Sequence, residues 1–235
     1  MEEGNDQVFE RNLTRREMEL IEDIREFIKE KHSQSERHDY SHVLQVVRYA
    51  IQIAKAIPDE VNPFVLICGA LFHDVGWIGT DTGVLHGLRG ATIVDEYFDS
   101  TWVSADVKKR IKRIVIRHTA TSMMPPQTVE EKIVWDADGL DGMGLIGILR
   151  GLVAEQGSIE EILTDEFRES RKTYDRLYFE ESRRIGKELH EETIEVIRSF
   201  KRALDHRLKA IEQLALPVER PVNWARVWVD ISQAK

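Results

Sequence analysis

The stretch PFVLICGALFHDVG, residues 63–76, is the most apolar part of the chain and ends in an adjacent histidine and aspartate. Pro63 suits the first turn of a helix and Gly76 suits the position after its end, so the stretch predicts one buried helix. His73 and Asp74 lie near the buried side of this helix, because they follow apolar residues at helical spacing. A buried carboxylate is costly unless something pairs with it, so a partner is expected elsewhere in the chain.

The rest of the chain also predicts helices, and strand signals are scarce. Thr14, Thr128 and Ser158 each begin a capping-box pattern that marks a helix start, and Ser41 or Asp39 caps the second helix. The predicted helices start after Thr14 and then cover about 41–57, 62–75, 85–97, 104–118, 128–150, a short segment from 158, and 179–214.

These helices predict a single all-α domain over residues 1–235. Its parts are a core at about 20–150, C-terminal helices at about 155–215 and an irregular tail at 216–235. The amphipathic last helix is expected to pack on its own domain or on a second copy, which makes a homodimer one possible assembly.

Composition narrows the class of protein. The chain has 235 residues, 42% hydrophobic and 32% charged, which suits one sizeable core, and its net charge of -9 gives no overall attraction to nucleic acid or anionic membranes. Its one cysteine, Cys68, excludes a disulfide framework and a Cys-based zinc knot, and its apolar surroundings predict an inert thiol. No apolar run approaches the ~18 residues of a membrane span. We therefore expect a cytoplasmic protein with no membrane or nucleic-acid partner.

Other helices also place polar residues on apolar faces. His42 precedes an apolar stripe, His118 ends one, His86 opens a helix, and Asp138 lies on an apolar face with Asp141 nearby. Taken singly, each is better explained as a hydrogen-bonded core histidine or a helix cap. Four histidines and two aspartates in such positions, counting His73 and Asp74, instead suggest a shared metal ion, which would satisfy all of them together.

The donor types indicate which ion would bind. Imidazole and carboxylate suit a divalent Mn, Fe, Co, Ni or Zn, and the absence of thiolates argues against a structural zinc site. A metal site with open positions activates water and polarises a substrate oxygen. The competing interpretation is a buried polar network without metal, which metal analysis of the purified protein would reveal.

Together these motifs resemble those of the HD-domain superfamily of metal-dependent phosphohydrolases, and especially its small, mostly uncharacterised HD hydrolases. The matching segments are RHDYSHVLQVV with His42, ALFHDVG with His73 and Asp74, and IVWDADGLDGMG with Asp138. The resemblance covers roughly residues 20 to 215. The family usually has arginine where this chain has Gly139. This difference bears on the identity of the substrate more than on the fold.

The resemblance implies a ligand set. His42, His73, Asp74 and Asp138 would hold a first metal ion, while His86 and His118 would hold a second one, with Asp74 as the bridge. The alternative role for His86 and His118 is to bind phosphate or to protonate a leaving group. The candidates for contact with the phosphate are Arg89 and Arg117.

The function expected from the resemblance is hydrolysis of a phosphate ester or anhydride, with a nucleotide as the first candidate and Asp74 holding or deprotonating the water. Two alternatives stay open, a di-iron oxygenase on the same fold and a nucleotide-binding regulator without turnover. The loops 78–85 and 123–126 border the expected site. The remaining histidines, which have charged neighbours in the sequence and are expected to face solvent, are His32, His190 and His206.

Overall fold

The protein is all-α in the computed structural model, which describes residues 9, 11–33, 39–77, 83, 85–154 and 158–213. These residues form nine α-helices and no strand, so the predicted fold class is confirmed. The helices are α1 (Arg15–His32), α2 (Tyr40–Ala56), α3 (Pro63–Phe72), α4 (His86–Asp99), α5 (Ala105–Arg117), α6 (Val129–Asp141), α7 (Gly144–Ala154), α8 (Ile159–Asp175) and α9 (Glu180–Glu212). None of the described helices is both long and apolar enough to cross a bilayer.

Most helix starts follow from local capping chemistry. Thr14 and Ser158 cap α1 and α8 in complete capping boxes, as the sequence predicts. The cap of α2 is Asp39, whose carboxylate accepts a bond from the backbone N–H of His42. Ser41 lies inside that helix and donates its hydroxyl to Asp39. Of the two candidate caps, the aspartate is therefore the one used.

Two helix predictions are wrong in extent. The helix predicted over about 128–150 is two helices, α6 and α7, because the chain turns before Gly144, which has a φ of +72° that favours glycine. The short helix predicted after Ser158 has 17 residues. The helix predicted over about 62–75 ends at Phe72, and a separate 3₁₀ turn follows at Val75–Trp77. The predicted tail, 216–235, lies outside the described residues.

The chain divides into two compact units, Met1–Asp141 with Leu177–Arg183 and Gly142–Arg176 with Arg184–Lys235. In the first unit α3 is the central helix, since it packs against α1, α2, α5 and α6 and nine of its ten residues are buried. In the second unit α7, α8 and α9 share a small apolar core. That core consists of Ile148, Leu163, Phe167, Ile194 and Ile197.

Two histidines are buried against expectation. His32 is 2% exposed and His190 is 7% exposed, whereas His206 is exposed as predicted. The prediction that His32 and His190 face solvent was wrong because it relied on their charged neighbours in the sequence and not on helical spacing. His32 continues the buried stripe of Ile24 and Ile28, and His190 precedes the buried Ile194 by one turn.

Candidate metal centre

Asp74 lies at the middle of a cluster of four histidines in the first unit. Its side chain follows the central helix α3 and is 2% exposed. One carboxylate oxygen, Oδ2, lies 3.2 Å from Nε2 of His42 and 3.4 Å from Nε2 of His73. The other oxygen, Oδ1, lies 3.2 Å from Nε2 of His118 and 3.4 Å from Nε2 of His86. The carboxylate is therefore divided between two pairs of imidazoles.

Within each pair the two ring nitrogens lie at a separation that suits two ligands of one ion. The Nε2 atoms of His42 and His73 are 3.1 Å apart, and those of His86 and His118 are 3.0 Å apart. Two ligands at ~2.1 Å from one metal ion and at right angles would lie ~3.0 Å apart. The first pair is completed by Asp138, whose Oδ1 lies 3.5 Å from the His42 nitrogen. The two groups that could hold an ion are His42, His73, Asp74 and Asp138, and Asp74, His86 and His118.

The ligand atoms come from five places in the fold, and close helix packing brings them together. His42 is in α2, His73 ends α3, His86 begins α4, His118 ends α5 and Asp138 is in α6. Two glycines allow α4 to approach closely. A Cβ on Gly76 would lie 1.9 Å from the carbonyl oxygen of His86, and one on Gly87 would lie 2.8 Å from that of Val115 in α5. A side chain at Gly87 would push α4 away from α5, and one at Gly76 would push α4 away from the segment that follows Asp74.

Backbone carbonyls orient three of the rings. In each case Nδ1 lies 2.7–2.8 Å from the carbonyl oxygen of the residue three positions earlier. A carbonyl can only accept, so Nδ1 carries the proton and the Nε2 lone pair of the neutral ring points toward Asp74. The bonds join His73 to Ala70, His86 to Gly83 and His118 to Val115.

The fourth ring, His42, is oriented by Asp141, to which the sequence analysis gave no role. Asp141 Oδ2 lies 2.6 Å from Nδ1 of His42, and both side chains are buried. A carboxylate behind a histidine ligand fixes the ring and increases its basicity, as in many metalloproteins. The signal was available, because Asp141 lies three residues after Asp138 and therefore shares its face of α6.

Asp136, on the same helix, has a different task. Its carboxylate accepts the backbone N–H groups of Tyr178 and Phe179 and so holds the chain that leads into α9. Burial raises the pKa of Asp136 to about 6, despite the hydrogen bonds that oppose this shift. The three aspartates of α6 thus serve separate contacts: Asp136 holds backbone N–H groups, Asp141 lies against Nδ1 of His42, and Asp138 lies near the Nε2 atoms of His42 and His73.

The pKa values of His42 and His73 indicate that their part of the cluster favours positive charge. Burial lowers the pKa of His42, but the carboxylates of Asp141 and Asp74 outweigh burial and raise the pKa to about 10. Burial likewise opposes the charged form of His73, while Asp74 and Asp138 raise its pKa. For His118 burial prevails, and its pKa is lowered. Without protons or a cation, imidazole lone pairs and carboxylate oxygens would repel each other here, so the donor set fits bound metal ions.

The two predicted arginines contact backbone carbonyls beside the cluster. Arg89 Nε donates to the carbonyl of Gly76, 3.0 Å away, and Arg117 donates to that of Pro125. Arg117 also lies 3.8 Å from Glu131. These contacts connect the arginines to the segments that follow Asp74 and His118, and their contact with a phosphate stays a prediction. Most of the predicted loop 78–85 lies outside the described residues.

Comparison with known proteins identifies a family model that matches part of the chain. Residues 39–143 match the HD domain, and this range contains all six predicted metal ligands. The chain is similar to an HD-superfamily hydrolase from Bacillus thuringiensis, with 21% identity, a TM-score of 0.61, and coverage of 80% of this chain and 98% of that one. It is also similar to Bacillus subtilis YpgQ in complex with ADP, with 20% identity, a TM-score of 0.64, and coverage of 80% and 96%.

A sequence relative is much longer than this chain. A tRNA (cytidine(56)-2'-O)-methyltransferase from Picrophilus torridus is 32% identical over 126 residues, which are 48% of this chain and 34% of that protein. The chain thus matches about a third of this relative's length. The activity in the relative's name belongs to that protein as a whole.

Proposed function

Because residues 39–143 belong to the HD-domain superfamily, we propose that this protein is a metal-dependent phosphohydrolase that cleaves a phosphate ester or anhydride of a nucleotide. The HD domain and the His/Asp cluster support a metal-dependent hydrolase. One observation carries the finer proposal, namely the division of Asp74 between two imidazole pairs. Such an arrangement suits two ions that share a carboxylate, which is common in enzymes that act on phosphates.

In this proposal His42, His73 and Asp138 hold the first ion and His86 and His118 hold the second, with Asp74 between them. Ions bound there would lower the pKa of a bound water and neutralise charge on the phosphoryl oxygens. Substrate would approach from the side of Asp138, whose side chain is 29% exposed while those of the five other ligands are at most 6% exposed.

Asp74, His86 and His118 are the candidates for proton transfer in this proposal. Asp74 lies within reach of all four Nε2 atoms, so its carboxylate is the group we assign to hold the attacking water and accept its proton. His86 and His118 each use Nδ1 as a donor to a backbone carbonyl, which leaves only Nε2 for the site. This favours the role of ligand for both residues over that of acid for the leaving group.

The phosphate and the nucleotide are the less direct parts of the proposal. A cation beside the centre would neutralise a phosphate, and Arg89 and Arg117 are our candidates because they flank the segments after Asp74 and His118. A nucleotide is the first candidate substrate because the structurally similar YpgQ binds ADP. A Mn, Fe, Co, Ni or Zn ion suits the donor set.

The test is release of phosphate from a panel of phosphorylated compounds, with the metal-free protein reloaded in turn with Mn²⁺, Co²⁺, Ni²⁺, Fe²⁺ and Mg²⁺. The panel includes nucleoside mono-, di- and triphosphates, cyclic nucleotides, dinucleoside polyphosphates and sugar phosphates. We expect release with at least one nucleotide and one transition metal, and no release after chelation.

Two controls make this test decisive. The Asp74→Ala variant has to lose the activity, since a contaminating phosphatase would persist in its preparation. Oxygen uptake is followed in the same reactions with Fe²⁺. Uptake of oxygen without phosphate release would replace the proposal with an oxygenase, and absence of both from a metal-loaded protein would reject an enzymatic role on these substrates.

A further inference from the structure

Among the described residues, the non-glycine residues with a positive φ are Leu85 and Met123, at φ values of 60° and 58°. Along the chain, Leu85 directly precedes His86 and Met123 follows His118 by five residues. A side chain with a Cβ is disfavoured in this conformation, and glycine or asparagine would adopt it at lower free energy. The fold alone therefore gives no reason for a large apolar side chain at either position.

Burial does not supply a reason for these side chains. Leu85 is 44% exposed and Met123 is 91% exposed. Their neighbours Leu88 and Met124 are also large, apolar and more than a third exposed. Large exposed apolar side chains on segments that lead to or from the residues of a polar site are typical of a surface that contacts a ligand.

A third apolar residue, Trp77, is fixed against the metal centre itself. It follows Asp74 by three residues, and its ring centroid lies 4.9 Å from that of His86. The indole also lies close to Gly83, where an added Cβ would come within 2.0 Å of the ring, so a side chain there would displace the indole. The indole is half-buried, and contacts on two sides hold it in place.

The segments that carry these three residues are neighbours in the fold. The 3₁₀ turn Ala120–Ser122, which directly precedes Met123, packs against α4, whose first residue follows Leu85. The 3₁₀ turn that ends at Trp77 also packs against α4. We name Trp77, Leu85 and Met123 the apolar rim. Along the chain, Leu85 adjoins His86, Trp77 follows Asp74 by three residues and Met123 follows His118 by five.

We propose that the apolar rim is the subsite for the base of a nucleotide whose phosphate lies at the metal centre. This inference rests on the proposed function and adds to it how the substrate is selected. A nucleobase offers a planar aromatic face, which indole rings and methionine thioethers contact favourably and which a sugar phosphate lacks. A phosphate, in contrast, gains nothing from apolar side chains, so the rim would select for the organic part of the substrate.

The test compares AMP with ribose 5-phosphate, two ligands that share the phosphate and the ribose and differ in the base. Binding of each to the full chain loaded with Mn²⁺ is measured by calorimetry. We expect the wild type to prefer AMP by about tenfold, a size typical of one good apolar contact area. The Leu85→Gly and Met123→Gly variants, which suit their backbone conformation and are expected to fold, should reduce this preference by about fivefold or more.

Two further variants make the result specific to the rim. Met123→Leu retains an apolar side chain and should keep the preference for AMP. Met18→Ala removes a side chain that is 51% exposed on α1, and it should leave the preference unchanged.

The other outcomes overturn the inference. Equal binding of AMP and ribose 5-phosphate by the wild type, or a preference that the glycine variants retain, would mean that the rim does not contact a base. If the glycine variants lose affinity for AMP and for ribose 5-phosphate equally, the segments that contain Leu85 and Met123 only position His86 and His118. In these cases phosphate release in the panel would leave the proposed function standing, whereas a protein that neither binds these ligands nor releases phosphate would end both proposals.

Discussion

The two units of this protein each bury histidine, but in opposite electrostatic settings. In the first unit four Nε2 atoms converge on the carboxylate of Asp74. In the second unit His190 is stacked on Phe167 and Tyr174, with ring centroids 5.7 Å and 6.1 Å away. Its Nδ1 lies 2.9 Å from the hydroxyl of Ser170, and its Nε2 has no hydrogen-bond partner among the described residues.

The difference shows what separates a candidate metal ligand from a core histidine. Burial disfavours the charged ring at both places. Carboxylates overcome burial at His42, and its pKa rises to about 10. At His190 burial prevails, Arg171 adds to it, and the pKa is lowered. His118 also has a lowered pKa, but its Nε2 faces the carboxylate of Asp74, as that of His42 does. A buried imidazole is therefore a candidate cation ligand where a carboxylate faces its Nε2, and four predictions test this distinction.

The largest effect is expected for Asp74→Ala, which removes the carboxylate that the two imidazole pairs share. We expect bound transition metal to fall below about one-tenth of an equivalent and turnover to fall at least about a hundredfold, while the helical circular dichroism stays near wild type. Metal analysis of protein purified without chelator measures the first effect. Asp59→Ala, at an exposed position, is the matched control. A variant that kept its metal would show that Asp74 is not a ligand.

The next effect separates the two pairs. His118→Ala should reduce bound metal from two equivalents toward one, because it removes one of the two imidazoles of the second pair and leaves the first pair complete. His190→Phe should leave the metal content unchanged, since His190 belongs to neither group of described residues that could hold an ion. Titration of the metal-free proteins with Mn²⁺ or Co²⁺ gives both stoichiometries. Equal loss of metal in the two variants would mean that His118 and His190 do not differ in their contribution to metal binding.

A smaller effect is expected at Asp141, which orients His42 without facing the ion. Asp141→Ala should weaken metal affinity by about 10- to 100-fold and leave the number of sites unchanged. Asp141→Asn should recover part of this loss, because its amide oxygen still accepts the bond from Nδ1 but carries no charge. Competition with a chelator of known affinity measures both values. Similar affinities for the wild type and the alanine variant would assign Asp141 a structural role alone.

The smallest effect is the contribution of His190 to stability at low pH. Its pKa is lower in the folded chain than in the unfolded chain, so the folded state binds fewer protons there. This histidine therefore lowers the free energy of unfolding as the pH falls below about 6.5, and it has no such effect above that pH. His190→Phe should reduce the loss of stability between about pH 7 and pH 5, as followed by thermal unfolding of chelator-treated protein. An unchanged acid profile would mean that other groups dominate it.

Sequence alone predicted the fold class and most helix starts, because these depend on local physics. The capping boxes at Thr14 and Ser158 lie within four residues of the bonds they predict. Helical spacing also placed His42, His73 and Asp138 on inward faces. The same rule, applied to His32 and His190, would have corrected the prediction that they face solvent.

The turn at Gly144 and the roles of the aspartates were decided by tertiary structure. The N–H of Gly144 donates to the hydroxyl of Thr193, a residue far along the chain, and periodicity within 128–150 carries no sign of this bond. The pairing of Asp141 with His42 joins residues 99 positions apart, and a sequence pattern does not state which carboxylate meets which nitrogen.

The sequence by itself therefore determined that His42, His73 and Asp74 lie on inward faces and carry donors able to bind a cation. The division of Asp74 between two imidazole pairs was decided only when α2, α3, α4 and α5 packed together. The physical reason is that helix formation and capping depend on neighbours within a turn or two. A metal centre, in contrast, depends on distances of about 3 Å between atoms from separate helices, and close packing at Gly76 and Gly87 sets those distances.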